Sequence, residues 1–150
     1  MKAIVRQLDN RFATLRPLLA SARPPKGWVR VVRNALGMTT SQLARKIGVS
    51  QSRIPELEQA EVTGNITLKS LERAAEALGC RVVYAFVPDR PLAEILREQA
   101  GRIADRQIAA VSHSMQLEDQ AVQDEGVRKE QRDRLIERLL QKPARLWDEN

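Results

Sequence analysis

Met38-Thr-Thr-Ser-Gln-Leu-Ala-Arg-Lys-Ile-Gly-Val-Ser-Gln-Ser-Arg-Ile-Pro-Glu-Leu-Glu-Gln59 is the stretch whose reading decides the fold. Leu43, Ala44 and Ile47 recur at helical spacing, and Thr39, Thr40 or Ser41 can cap that helix by accepting free backbone N–H bonds. Gly48 supplies the left-handed bend that ends it. Ser50 reads as a second N-cap, and Ile54, Leu57 and Ala60 give the next helix its buried stripe. Two short helices joined by a glycine-led turn of about four residues form a helix-turn-helix. Ala44 falls where the two helices cross, and a larger side chain there would push them apart. Pro55 has no N–H for the carbonyl of Gln51, so a helix counted from Ser50 should bend or loosen in its first turn.

These positions, Gln42-Leu43-Ala44, Gly48-Val49-Ser50-Gln51 and Ile54 followed by Leu57-Glu58, resemble the XRE-type (lambda-repressor-like) helix-turn-helix family. The outward residues at the start of the second helix, Gln51, Ser52 and Arg53 next to Ser50, are the candidate base readers. Gln51 can pair bidentately with adenine, and Arg53 can reach guanine or a phosphate. The resemblance implies that Gln42 bonds a phosphate and braces Gln51. Arg33, Arg45 and Lys46 are the further candidate phosphate contacts, which position a duplex without specifying it.

Charge agrees with that reading. The chain of 150 residues carries a formal charge of +6, but residues 1–55 hold eleven Lys/Arg against Asp9 alone, a net +10. The remaining residues sum to −4. A basic front half on a helix-turn-helix is the footprint of a phosphate-binding surface. Aromatics at 3% and seven glycines argue against a β-sandwich or barrel. The single cysteine, Cys80, excludes an intramolecular disulfide or multi-cysteine zinc site; it suits a reducing cytoplasm and reads as a small buried thiol. No run of eighteen apolar residues is present, so no membrane span is expected, and the N-terminus does not read as a signal peptide.

Val5, Leu8, Phe12, Leu15 and Leu19 define an amphipathic N-terminal helix whose stripe needs a partner, either the main domain or another subunit. Pro17 should end or kink it, and 21–27 reads as a linker. Trp28 to Leu36 is the first helix of the DNA-binding bundle, closed by Gly37. Residues 61–65 read as a polar loop. Thr67 caps a helix with Leu68, Leu71, Ala74, Ala75 and Leu78 on its core face. Arg81 to Val87 is the one strand expected, and its unpaired backbone calls for the same strand of a second copy. From Pro91 a helical rhythm runs to about Gln123, as one helix or two with a break near Gly101. Another helix spans about 125–141, Pro143 ends it, and the tail reads as loose.

The run Arg73-Ala74-Ala75-Glu76-Ala77-Leu78-Gly79-Cys80, then Val83 to Pro88, then His113-Ser114-Met115-Gln116-Leu117-Glu118-Asp119-Gln120, looks like the family called mobile mystery protein A, over most of the chain. Members of that family are encoded beside a partner with a Fic domain, which in its active form transfers AMP from ATP to proteins. The resemblance implies an antitoxin that inhibits the partner and represses transcription. Fic inhibitors carry Ser or Thr, three spacers, Glu, then Gly or Asn on a helix; Ser114 and Glu118 fit, and Asp119 departs at the last position. Ser114 and Glu118 are four apart and share a helix face. A carboxylate there could pair with the arginine that holds the nucleotide's terminal phosphate. A rival match at 121–126 would make Glu125 the inhibitory glutamate, with Ala121 replacing Ser or Thr.

The expectation is therefore an all-α chain: an N-terminal helix (1–22), an XRE-type domain (23–90) with a dimerisation strand at 81–87, and a helical partner-binding extension (91–150). Its expected partners are operator DNA, a Fic-domain toxin and a second copy of itself, in the cytoplasm. No catalytic constellation, metal cluster or cofactor loop stands out, so no enzyme activity, metal or cofactor is expected. The alternative is a stand-alone XRE regulator whose rear helices serve dimerisation or an effector.

Overall fold

A computed structural model describes residues 2–21, 23–117 and 124–148, and these fall into two compact units. One unit is Leu19–Phe86; the other joins Met1–Leu18 to Val87–Asn150. Among the described residues, seven α-helices follow in order: α1 (Ala3–Leu15), α2 (Trp28–Ala35), α3 (Thr40–Ile47), α4 (Arg53–Thr63), α5 (Leu68–Ala77), α6 (Leu92–Leu117) and α7 (Glu125–Leu140). Short 3-10 helices cover Arg16–Ala20 and Pro143–Trp147.

The 19–86 unit is a bundle of α2 to α5 around Val29, Leu43, Ala44, Ile54, Ala74 and Leu78, with Leu43, Ile54 and Ala74 fully buried. One residue from each turn of these short helices points inward, which is what their spacing dictates. Thr67 caps α5 by accepting the Ser70 N–H at 3.1 Å. Two expectations fail here. Leu68 opens α5 on its exposed side, and the Cys80 thiol is exposed.

The other unit pairs α6 with α7 around Ala100, Ala104, Ile136, Leu140 and Leu146. Alanines at 100 and 104, one turn apart, let the two helices approach closely. Gly101 does the same for Arg132, whose guanidinium lies 2.9 Å from where a Cβ would stand. Helix α6 runs unbroken through Gly101, which faces Arg132 and Ile136 of α7. The tail is not loose: Leu146 is fully buried, and its carbonyl accepts the Gln99 side-chain N–H at 2.7 Å. The N-terminal helix α1 packs on α6. Asp9 carries that contact, its two carboxylate oxygens accepting the N–H groups of Leu92 (2.6 Å) and Ala93 (3.1 Å) at the start of α6. A carboxylate supplied from α1 thus caps a helix more than eighty residues later.

The expected strand is the main correction. Residues 81–87 have no regular secondary structure, and among the described residues no strand forms. A strand exists only as part of a ladder, and one chain offers this segment no partner edge. Val83 and Phe86 are 87% and 91% exposed, with Tyr84 exposed between them.

Candidate nucleic-acid interface

Helix α3 begins with a reciprocal cap. Thr39 Oγ1 accepts the Gln42 N–H (3.1 Å), and Gln42 Oε1 accepts the Thr39 N–H (2.8 Å). Gly48 ends the helix at φ +82°, where its N–H and that of Val49 both bond the Ala44 carbonyl. Ala44 is buried beside Leu43, so α3 and α4 sit close. The second cap is not Ser50 but Ser52, and α4 starts at Arg53. Ser50 and Gln51 instead form the turn, accepting the N–H groups of Arg53 (3.0 Å) and Ile54 (3.2 Å).

That shift explains Pro55. From a Ser52 cap it is the third helical residue, inside the first turn, where backbone N–H groups have no intrahelical partner anyway. Proline therefore costs no bond there and helps fix where the helix starts.

Gln51, Ser52 and Arg53 are all exposed at this helix start, as is Ser50 in the turn before it. Gln51 is held by Thr40, whose Oγ1 accepts from Nε2 at 3.2 Å. Gln42 does not brace it, because its side-chain oxygen is committed to the Thr39 cap. One Nε2 proton and the Oε1 of Gln51 remain, the donor and acceptor that an adenine edge requires. Arg53 pairs with Glu56 at 3.4 Å, an exposed contact worth well under about 1 kcal/mol and easily exchanged for a nucleic-acid group.

The candidate phosphate contacts divide. Gln42 and Arg45 are exposed on α3, open to a backbone. Lys46 is exposed but its Nζ donates to the Ala77 carbonyl at the end of α5 (3.4 Å). Arg33 is buried, which overturns its assignment as a phosphate contact. Its Nε donates to Glu58 Oε1 at 2.6 Å and its Nη1 to the Met38 carbonyl at 2.9 Å. It ties α2, the α2–α3 turn and α4 together. A buried guanidinium satisfied on two sides has neither the reach nor the free donors for a phosphate.

Four residues around this network were given no such role from the sequence. Glu58 partners Arg33. Glu61, expected in a loop, is buried in α4, and its carboxylate accepts the N–H groups of Trp28 (2.7 Å) and Val29 (2.9 Å). Gly27, at φ +79°, leaves room for that carboxylate, since a Cβ would come within 2.9 Å of it. Arg23 donates to the carbonyls of Glu61 (2.6 Å) and Val62 (2.8 Å), fastening the 21–27 linker to the end of α4. The available signal was weak: Glu58 and Glu61 are three apart, on the face of α4 that also carries Ile54.

Residues 29–84 match the family model described as Helix-turn-helix. This stretch is a helix-turn-helix domain of the XRE type. No curated protein and no solved structure matches the chain. The helix-turn-helix domain covers α2 to α5, so the recognition element α4 and its scaffold lie inside one unit.

Outside that domain, Ser114 is exposed on α6, its hydroxyl donating to the Ala110 carbonyl at 3.2 Å. Glu118, Asp119 and Ala121 lie outside the described residues. Glu125 is exposed at the first position of α7, behind the Asp124 cap. His113, the one histidine, is exposed on α6. Among the described residues no helix is long and apolar enough to cross a membrane, and no three His, Cys, Asp or Glu side chains gather around a metal position.

Proposed function

We propose that the chain is a dimeric, sequence-specific repressor of its own operon and the antitoxin of a Fic-domain partner. The observation that carries the DNA-binding half is Gln51, exposed at the start of α4 and pre-aligned by Thr40 on a domain of the helix-turn-helix family. The domain reads the major groove with Gln51, Ser52 and Arg53 and steadies itself on phosphates with Gln42 and Arg45. Dimerisation through 81–87 is supported by the exposed Val83, Tyr84 and Phe86 and by a backbone with no ladder partner. A twofold pair presents two recognition helices to a palindromic site.

The antitoxin half rests on the resemblance to mobile mystery protein A. It assigns Ser114, Glu118 and Asp119 to the partner's nucleotide pocket, where the Glu118 carboxylate competes with ATP phosphate for a guanidinium. In this role the chain acts in the cytoplasm by binding rather than catalysis. Mobility-shift titration with the DNA upstream of its own gene tests the first half; no shift at moderate salt overturns it. Co-expression with the product of the neighbouring gene tests the second. Wild type should silence the partner's AMP transfer and Glu118→Gly should not. If the neighbour has no Fic signature, the stand-alone regulator takes over.

A further inference from the structure

With Arg33 occupied by Glu58, the cations that flank the reading face are different ones. A groove of about 430 Å³ in the helix-turn-helix domain is bordered by Pro25, Lys26, Arg30, Thr40, Pro55 and Gln59. Lys26 and Arg30 are both exposed, and among the described residues neither pairs with a carboxylate. Carboxylates close by are already matched. Glu58 is bonded to Arg33, and Glu61 accepts two backbone N–H groups at the start of α2. Arg33 and Glu58 also line the groove but balance each other, so the exposed Lys26 and Arg30 leave its lining with a net positive charge.

Its position gives it a ligand. Thr40 is both a wall of the groove and the residue that holds Gln51, and Pro55 lies in the first turn of α4. The groove therefore opens beside the residue that holds Gln51. Successive phosphates of one strand are about 3.4 Å apart along the duplex axis, within the span of two long, flexible side chains set four residues apart.

We propose that Lys26 and Arg30 clamp adjacent backbone phosphates of the strand beside the recognition helix, forming a phosphodiester site separate from the base-reading residues. This rests on the DNA-binding reading above. The clamp acts on sugar–phosphate only, so it adds affinity without sequence preference and its contribution is lost with salt.

The test is the salt dependence of binding by the full chain, for wild type and Lys26→Ala/Arg30→Ala, on a random-sequence 30-base-pair duplex and on an operator selected from a random pool. Each phosphate neutralised contributes about 0.9 to the slope of log affinity against log salt, so the double variant should be shallower by about 1.8 per bound protomer on both duplexes. Between 50 and 200 mM salt, wild type should then lose roughly tenfold more affinity than the variant for each protomer bound. Inorganic phosphate at matched ionic strength should change wild-type affinity less than about twofold; strong competition would make the groove a site for free phosphate and overturn the strand assignment. An unchanged slope, or a loss confined to the operator, also overturns the clamp. A wild type that binds neither duplex sinks the DNA-binding reading itself. Both side chains are exposed, so matching thermal unfolding of the variant certifies that it is folded.

Discussion

Two side chains of opposite exposure, Gln51 and Arg33, mark the open face of the domain and its buried brace. Gln51→Ala should weaken operator binding by about 1–3 kcal/mol with little change on random DNA, measured by fluorescence anisotropy; equal losses on both would contradict base reading. Arg33→Met should instead cost about 3–5 kcal/mol of stability in urea unfolding, because it strands a buried carboxylate. Arg33→Met with Glu58→Leu should recover most of that loss, whereas a phosphate-gripping arginine would leave the salt slope lowered in both variants. The exposed place of Gln51 was legible in sequence because it follows from its offset after Gly48. Arg33 was not, because an arginine in a basic run reads as surface, and only the fold brings Glu58, 25 residues away, against it. Pro55 was misread for a related reason: its effect depends on the residue that starts the helix, and a shift from Ser50 to Ser52 reverses it.

Helices α1, α3, α4, α5 and α7 were visible in apolar spacing and capping residues, and so was most of the front core. Contacts between distant segments were not. Asp9 looks like one acid among bases, yet it caps α6, and Asp9→Ala should cost about 0.5–2 kcal/mol. The tail was read as loose because Pro143 ends α7, but a 3-10 turn delivers Leu146 to the core. Leu146→Ala should destabilise this unit by about 2–5 kcal/mol. A Trp28→Phe background would leave Trp147 as the sole tryptophan reporter of that loss. Arg132 donates to Asp105 across α6 and α7 (2.7 Å), and this hydrogen bond, opposed by slight desolvation, holds the Asp105 carboxyl below its ordinary value of 3.8. A lowered folded value means the contribution is whole above 3.8 and fades as pH falls through the lowered one. Arg132, shifted upward by the same bond, stays charged throughout. Asp105→Asn should therefore lower the melting temperature at neutral pH and match wild type in strong acid.

For the whole molecule, the prediction concerns copy number. Val83, Tyr84 and Phe86 are too exposed for an isolated chain to carry without consequence, and Phe86→Asp should shift sedimentation from dimer to monomer while leaving each helix intact. A wild type that sediments as a monomer at micromolar concentration removes the strand-mediated pair. The 81–87 segment reads as β-prone in sequence, but it forms no strand in the structure, because one chain offers it no partner edge. The split of the rear unit between residues 1–18 and 87–150 also fixes an order of birth at the ribosome. Helix α1 leaves the exit tunnel first and then waits, its apolar stripe uncovered, until Leu92 and Ala93 have been translated. The 19–86 bundle, complete in between, can fold before the other half has closed.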